Sequence, residues 1–283
     1  MTDVDTSAGP ARRQEIAPPR LRLATTTQRS RVPVWIRRAI TPILLIVVWE
    51  MSVRLGWVSD QVLAPPSALP ATVSGLWESG DLQEGILVSA TRAGVGLFFG
   101  TVVAVLVAAI AGLFRWGEDA AEPLVQMLRP IPATAILPLV VLLMGIYETP
   151  KIFLVAYGVF FPVYLNTVQG IRSVDVKLVE SASVHGLNRW QLVRQVVLPS
   201  AMPSFFTGFR FSVGLSWIVL VVAEQLNAQS GIGYLMVDAQ RYFRPDVIIV
   251  GLIVYALFGL VSDAIVRLVE RRVLRWRQEF TGA

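Results

Sequence analysis

Residues 93–114 read AGVGLFFGTVVAVLVAAIAGLF and contain no Asp, Glu, Lys or Arg across 22 positions. About 20 apolar residues span a bilayer as an α-helix, because each residue adds about 1.5 Å to a path of about 30 Å. A second uncharged run, residues 152–171, covers 20 positions. Runs of this length predict membrane-spanning helices rather than the core of a soluble domain.

The composition of the whole chain agrees with a membrane protein. Hydrophobic residues make up 54% of the 283 residues and charged residues only 16%, whereas soluble domains average about 25% charged residues. We therefore predict an all-α membrane protein whose single membrane domain covers residues 35–277. Residues 1–34, rich in Pro, Ser, Thr and Arg, are predicted to form a disordered cytoplasmic tail, and residues 278–283 a short C-terminal tail.

Six apolar segments are predicted to cross the membrane. The third is interrupted by Pro130, Pro132 and Pro138, and proline bends or breaks a helix; a short, broken helix beside a translocation path suits this pattern. Gly96 and Gly100 in the second segment form a GxxxG pair, which predicts close helix packing. The predicted spans cover residues 36–55, 86–113, 131–146, 151–171, 201–223 and 246–269.

Lysine and arginine counts in the segments between the spans predict the orientation. Alternate segments hold 8, 2, 4 and 5 basic residues on one side of the membrane against 0, 1 and 2 on the other. Cytoplasmic loops carry the excess of basic residues, so both termini are predicted to be cytoplasmic and the loop 56–85 to lie outside. Termini on one side require an even number of crossings, which six satisfies. We predict a multi-pass membrane protein.

The residue inventory excludes several kinds of site. The chain has no cysteine and one histidine, His185, which excludes disulfides, thiol nucleophiles and cysteine or histidine metal clusters. An intramembrane enzyme would need a nucleophile with its base, or paired aspartates within the spans, and the one predicted span with two aspartates, residues 246–269, holds them 17 positions apart. We predict no catalytic residues and no metal site. The formal net charge is +5, but the basic residues are distributed by side of the membrane. Membrane orientation therefore accounts for them, and we predict no nucleic-acid partner.

The most informative segment is the predicted cytoplasmic loop 172–200, RSVDVKLVESASVHGLNRWQLVRQVVLPS. Apolar residues recur every four positions in its first half, and Gly186 is a natural helix stop. Asn188, with Gln191 three residues later, has the spacing of a capping box. The pattern by itself predicts two short helices joined at a glycine, and an amphipathic hairpin lying on the bilayer would also satisfy it.

The same loop resembles the EAA loop of ABC importer permeases. That family's pattern is Glu-Ala-Ala, three residues, Gly, nine residues and then Ile-x-Leu-Pro. The spacing is identical here, with Ser181 and Val196 as small departures in residue type. The resemblance implies a fold like that of the type I ABC importer permeases and a location in the bacterial inner membrane. The residues at the positions of the pattern are Glu180, Ser181, Ala182, Gly186, Val196, Leu198 and Pro199.

The resemblance also implies a mechanism and partners. In the family, the loop docks on a separate ATPase subunit, and closure of two ATPases around ATP switches the permease between outward and inward access. ATP is hydrolysed by these partners, and the permease itself binds no cofactor. A periplasmic or lipid-anchored binding protein delivers the substrate, and two permease chains pair as a homodimer surrounded by membrane lipid.

Individual residues of the loop receive roles through the same resemblance. Glu180 offers a charge for a hydrogen bond to the ATPase, Ala182 permits close approach, and Gly186 sets the angle between the two short helices. His185 is an interface or capping residue on this reading. A solvent-exposed loop histidine without a role fits the sequence equally well.

Other stretches narrow the resemblance to the nitrate, taurine and sulfonate permeases, with the aliphatic sulfonate permeases most similar. The similarity extends over roughly residues 33–277 and implies that the substrate is a small organic anion, an aliphatic sulfonate. Taurine, nitrate or another small molecule is the alternative within the family, and a secondary transporter is a more distant one that would need no ATPase-docking loop. The stretches are residues 64–67, 79–82, 115–132, 145–167 and 221–235.

Two arginines within the predicted spans are candidates for the substrate path. Arg92 lies near the outer end of the second span and Arg210 in the inner part of the fifth. Charged groups inside spans often mark a pathway, whereas arginines near helix ends also snorkel to headgroups, so both interpretations stay open. Glu224 would repel an anion and is predicted to make a structural hydrogen bond or a partner contact. Glu50 is predicted to pair with Arg54, four residues later.

Overall fold

The structure is a computed structural model that describes residues 34–276. The predicted tails, 1–34 and 278–283, lie outside the described residues, except that Val34 begins the first helix. The chain divides into two units, residues 1–45 and 46–283; the described part of the first, residues 34–45, is the beginning of helix α1. The helices are α1 (Val34–Arg54), α2 (Leu69–Glu78), α3 (Asp81–Leu113), α4 (Arg115–Leu128), α5 (Ala133–Met144), α6 (Thr149–Arg172), α7 (Val176–Val184), α8 (Arg189–Leu192), α9 (Leu198–Asn227), α10 (Ile232–Arg241) and α11 (Pro245–Val273).

Within residues 34–276, four helices are long and apolar enough to cross a membrane. They are α3 with 33 residues, α6 with 24, α11 with 29, and a 38-residue helix, Arg189–Leu226, in which α8 continues into α9. These helices confirm the second, fourth, fifth and sixth predicted spans as apolar helices of sufficient length. Each extends beyond its predicted bounds, because polar residues at the ends continue the helix past the apolar run.

The third predicted span is a broken helix. α4 and α5 are bent by 101° where they meet, and α5 has 12 residues, which span only about 18 Å of the roughly 30 Å that a bilayer core requires. Pro130 and Pro132 lie in the break between the two helices, which confirms the predicted interruption at these prolines. Pro138 lies inside α5, which continues past it, so the interruption predicted at Pro138 is wrong. The bent pair counts as a fifth span if it is one unit. α1 is not among the helices that meet this test, and the count of six stays a prediction.

Three helices, α2, α4 and α10, are absent from the sequence-based prediction. α4 is attached to the end of α6, because Arg172 binds the carboxylates of Glu118 at 3.0 Å and Glu122 at 3.5 Å. α10 buries Ile232 and Met236 in a core that it shares with α2 and α11. These helices are short and partly polar, so they lack the long uncharged runs that reveal the spans.

The larger core forms where α6 packs against α3 and α9. Half of the apolar window of α6 is buried, against 22% of that of α11. Outside this core, large apolar side chains such as Phe98, Leu106 and Leu260 are exposed. A soluble monomer rarely exposes contiguous apolar surface on this scale, so these faces suit a hydrocarbon environment.

Gly96 and Gly100 bring α3 into direct contact with α6. A Cβ atom at Gly96 would lie 2.6 Å from the Val155 Cβ, and one at Gly100 would lie 2.5 Å from the Ala156 carbonyl oxygen. Real Cβ atoms do not approach other atoms this closely, so the helix backbones are in contact at these positions. The close packing predicted from the GxxxG pair is confirmed.

We expect Gly100→Ala to lower the free energy of unfolding by about 1–3 kcal/mol, the usual cost of overpacking, because the new methyl group meets the backbone of α6. Gly94→Ala is the matched control, since nothing lies within 4 Å of a Cβ at that position. The measurement is thermal unfolding of both variants in detergent, and equal stability of the two would contradict the packing described.

Candidate functional site

The predicted helix stop in the segment between α6 and α9 has a defined hydrogen-bond pattern. Gly186 has φ +79°, a left-handed conformation that glycine adopts without a Cβ penalty. Its N–H donates to the Ser183 carbonyl at 3.0 Å, and the Leu187 N–H donates to the Ala182 carbonyl at 3.2 Å. This pair of bonds is the Schellman motif. It ends α7 rigidly and confirms Gly186 as the stop.

The second short helix of the segment begins at a reciprocal cap. The Asn188 Oδ1 accepts a hydrogen bond from the Gln191 N–H at 2.9 Å, and the Gln191 Oε1 accepts one from the Asn188 N–H at 2.9 Å. The predicted capping box is confirmed. From α8 the chain passes through a π-helical segment, Val193–Val197, into α9. Such widened turns are rare and lie frequently at functional sites.

The residues of the sequence motif lie on the surface of this segment. His185 is the C-cap of α7, and its Nδ1 hydrogen-bonds with the Ser181 carbonyl at 2.7 Å. Nearby apolar side chains are uncovered, with Val184 85% and Trp190 72% exposed. Exposed apolar groups of this kind are typical of surfaces that contact another protein or a membrane. Of the motif residues, Ala182, Val196 and Pro199 are partly buried, and Glu180, Ser181, Gly186 and Leu198 are exposed, as is His185.

A second cluster, of charged side chains, lies at the other end of α6. The 24 residues of α6 rise about 36 Å, so the two sites are far apart. The first half of α3, the start of α6, the end of α9 and the start of α10 meet around the guanidinium of Arg92, which is 2% exposed. A side chain buried in protein does not reach a headgroup, so the snorkelling interpretation is wrong for Arg92.

The Arg92 guanidinium bridges two carboxylates. Its Nη1 donates to the Glu224 Oε1 and to the Ser230 carbonyl, both at 2.7 Å. Its Nε and Nη2 form a fork on the two oxygens of Glu148, with the Nη2–Oε1 distance 2.8 Å. Such bidentate pairs are among the strongest side-chain contacts. They join α3 to the end of α9 and to the turn before α6.

Glu224 is fully buried, and four different residues donate hydrogen bonds to its carboxylate. Besides the Arg92 guanidinium, it accepts hydrogen bonds from the Ser89 hydroxyl at 2.9 Å, the Gly233 N–H at 2.9 Å and the Tyr255 hydroxyl at 2.8 Å. A buried carboxylate without such partners would cost several kcal/mol. The structural hydrogen-bonding role predicted for Glu224 is confirmed.

Lys151 completes the cluster as a second buried cation, 2% exposed. Its Nζ donates to the Tyr147 carbonyl at 3.0 Å and to the Glu148 Oε1 at 3.4 Å. Glu148 itself is 56% exposed, and the hydrogen bond from Arg92 lowers its pKa below the usual range of a glutamate. It is therefore ionised at neutral pH and lies at the solvent-facing edge of the cluster.

Two glycines allow the ion pair to form. A Cβ at Gly231 would lie 2.5 Å from the Glu224 Oε1 and 2.7 Å from the Arg92 Nη1, and a Cβ at Gly233 would lie 2.6 Å from the Glu224 Cβ. Gly231 also has φ +107°. The chain changes direction here between α9 and α10, and sequence reasoning missed the cluster. Its only local signals are this glycine pair and the i, i+3 spacing of Glu148 and Lys151.

Arg210 lies apart from this cluster, about 21 Å before Glu224 along α9 at 1.5 Å per residue. Its Nε binds the Asp263 Oδ1 at 2.7 Å, and Asp263 also binds the Arg267 guanidinium at 3.0 Å. All three side chains are partly exposed. The structure therefore does not bring the two candidate arginines together, and a role of Arg210 in a substrate path stays a prediction.

We expect Glu224→Gln to lower the free energy of unfolding by about 3–5 kcal/mol, because it leaves the buried Arg92 without one of its two anions. Arg54→Gln is the matched control. It breaks the predicted pair with Glu50, confirmed at 2.6 Å with Arg54 65% exposed, and such surface pairs contribute only about 0–1 kcal/mol. Unfolding in detergent, followed by tryptophan fluorescence, measures both, and similar losses would contradict the dominant role of the buried pair.

Comparison with known proteins identifies the family. Residues 96–275 match the family described as "Binding-protein-dependent transport system inner membrane component". The chain is 41% identical over 239 residues to the putative aliphatic sulfonates transport permease protein SsuC of Escherichia coli, covering 84% of this chain and 91% of that protein. It is 38% identical over 248 residues to the protein of the same name from Bacillus subtilis, covering 88% and 90% respectively.

The fold has a solved counterpart in the crystal structure of an amino acid ABC transporter with histidines. The TM-score is 0.55 at 19% sequence identity, and the match covers 71% of this chain and 97% of that one. At this identity the likeness concerns the fold alone. The match over residues 96–275 and the identity to the two permeases show that the chain belongs to the family of binding-protein-dependent transport system inner membrane components, the permeases of ABC transporters.

Proposed function

We propose that the chain forms the membrane path of an ATP-driven importer for a small organic anion, an aliphatic sulfonate. The observation that carries this proposal is the identity of 41% and 38% to two permeases named for aliphatic sulfonates transport, along about nine-tenths of each relative. Identity of that extent includes the spans as well as the loops. Taurine, nitrate or another small molecule of the same family is the alternative substrate.

The proposed membrane topology is that of a type I importer permease with six spans and both termini in the cytoplasm. Four long apolar helices and the bent pair α4–α5 support five of the spans, and α1, with 21 residues, would be the sixth. The basic-residue counts support the orientation. The segment 172–200 then faces the cytoplasm, and the Arg92 cluster lies toward the outside.

The segment between α6 and α9 is proposed to dock on ATPase subunits. Its Schellman motif and capping box hold the two short helices in one geometry, and Val184 and Trp190 leave apolar surface uncovered. Glu180 and His185 are exposed beside this surface and are proposed to contact the partner. A rigid plug of this kind transmits a displacement of the ATPase to α9 through the π-helical segment.

The chain is proposed to work with partner subunits and to line the substrate path. The relatives are named as transport permeases, so hydrolysis of ATP is assigned to partner subunits and not to this chain. A binding protein outside the membrane would deliver the anion to a homodimer of permeases, and Arg92 and Arg210 are the proposed path residues. A secondary transporter, the more distant alternative, leaves the capped docking segment without a purpose.

We expect Gly186→Val to abolish or strongly reduce both co-purification of the ATPase and ATP-driven uptake. A β-branched residue is strained at φ +79°, by about 1–2 kcal/mol for a left-handed conformation, so the angle between α7 and α8 must change. Gly186→Asn is the matched control, since asparagine tolerates this conformation and a Cβ there meets no atom within 4 Å. Unchanged coupling in Gly186→Val would contradict the docking role.

The substrate is tested by growth of a deletion strain supplied with alkanesulfonates or taurine as the sole sulfur source, or with nitrate as the sole nitrogen source. We expect growth to fail on alkanesulfonates alone and to return when the gene is restored. Failure on taurine or nitrate instead would assign the alternative substrate. Normal growth on every source would overturn the sulfonate proposal and leave the family membership unaffected.

A further inference from the structure

The four charges of the Arg92 cluster differ sharply in burial. Arg92, Lys151 and Glu224 are 2%, 2% and 0% exposed, whereas Glu148 is 56% exposed. The formal charges cancel as two cations and two anions. Three of the four charges are therefore fixed within protein, and Glu148 alone among them has open solvent on one side.

Glu148 is also held by fewer groups than Glu224, the other carboxylate of the cluster. Within residues 34–276 its side chain hydrogen-bonds only with Arg92 and Lys151, whereas Glu224 also accepts from two hydroxyl groups and a backbone N–H. It lies in the turn between α5 and α6, just after Gly145, whose φ is +83°. Its carboxylate can therefore turn into water without becoming a buried, unpaired charge.

Displacement of Glu148 would leave an uncompensated positive charge inside the protein. Arg92 and Lys151 would then face only Glu224, and an unpaired buried charge is strongly destabilising. Another anion has to take the vacated place for this state to be populated. The cluster therefore selects ligands by charge, since a neutral or cationic molecule would not compensate the two buried cations.

The donors freed by this displacement match a sulfonate head group. The Nε and Nη2 of Arg92 form a fork that binds two oxygens of one group, a geometry suited to planar or tripodal oxyanions. The Lys151 ammonium points at the same oxygen as Nη2. The Ser230 hydroxyl lies 3.2 Å from Nη2 and supplies a further hydrogen-bonding group.

We propose that Arg92 and Lys151 form an anion-binding site in which the Glu148 carboxylate occupies the place of the substrate's sulfonate group until the substrate displaces it. The sulfonate identity rests on the proposed function; the anion site rests on the cluster itself. In the proposed topology the site lies toward the outer side, where a binding protein releases its cargo. Exchange of one carboxylate for one sulfonate keeps the cluster neutral throughout.

The test measures binding of radiolabelled ethanesulfonate to the full-length chain in lipid nanodiscs. In the wild-type protein Glu148 competes with the ligand for the site. Only the fraction of molecules in which Glu148 has left the site can bind the ligand, so the apparent affinity is reduced by that fraction. Glu148→Gln removes the competing charge, so we expect the Kd to fall by about tenfold or more. Glu148→Asp has a shorter side chain that keeps the charge, and we expect a smaller decrease in the Kd. This variant replaces Glu148→Gln in the test if Glu148→Gln folds poorly.

Two further variants make the test specific. Adding Lys151→Met to Glu148→Gln is expected to remove the gain in affinity, whereas Arg244→Gln, which breaks an exposed pair with Asp246 at 3.1 Å, is expected to change nothing. Nitrate and acetate are measured beside ethanesulfonate. A lower Kd for any of these anions in the Glu148 variants supports the anion site. A lower Kd for nitrate or acetate but not for ethanesulfonate would overturn only the assignment of a sulfonate as the ligand. Unchanged Kd values for all three anions in both Glu148 variants would overturn the proposal.

Discussion

The burial of the Arg92 guanidinium is the constraint on which the rest of the architecture depends. A charge held at 2% exposure needs carboxylates beside it, and these come from the turn before α6 and from the end of α9. Gly96 and Gly100 follow Arg92 at intervals of four and lie on the same face of α3. The ion pair and the backbone contact with α6 therefore fix the same pair of helices.

The elements that sequence reasoning predicted correctly are those encoded locally. Long apolar segments predicted α3, α6, α9 and α11, and the spacing of Asn188 and Gln191 predicted the capping box. The Arg92 cluster could not be predicted from local sequence, because Glu148 lies 56 residues from Arg92 and Glu224 lies 132 residues from it. The partners of Arg92 become its neighbours only when the helices pack. Snorkelling was therefore a possible interpretation as long as Arg92 was considered without them.

The two sites lie at opposite ends of the same helices. α6 begins beside Glu148 and ends at Arg172, after which the capped segment follows. α9 begins at the π-helical segment and carries Glu224 near its other end. A displacement of the capped segment therefore acts on helices whose far ends hold the charges around Arg92. This arrangement supplies a direct physical connection between the proposed ATPase-docking surface and the proposed anion site.

The most direct test of the proposed importer function is uptake of labelled ethanesulfonate into proteoliposomes that contain the permease, its ATPase partner and the binding protein. We expect uptake that requires ATP and the binding protein and that persists when proton and sodium gradients are collapsed. Uptake driven by an ion gradient without ATP would contradict it, because the chain would then work as a secondary transporter and not as the permease of an ATP-driven importer.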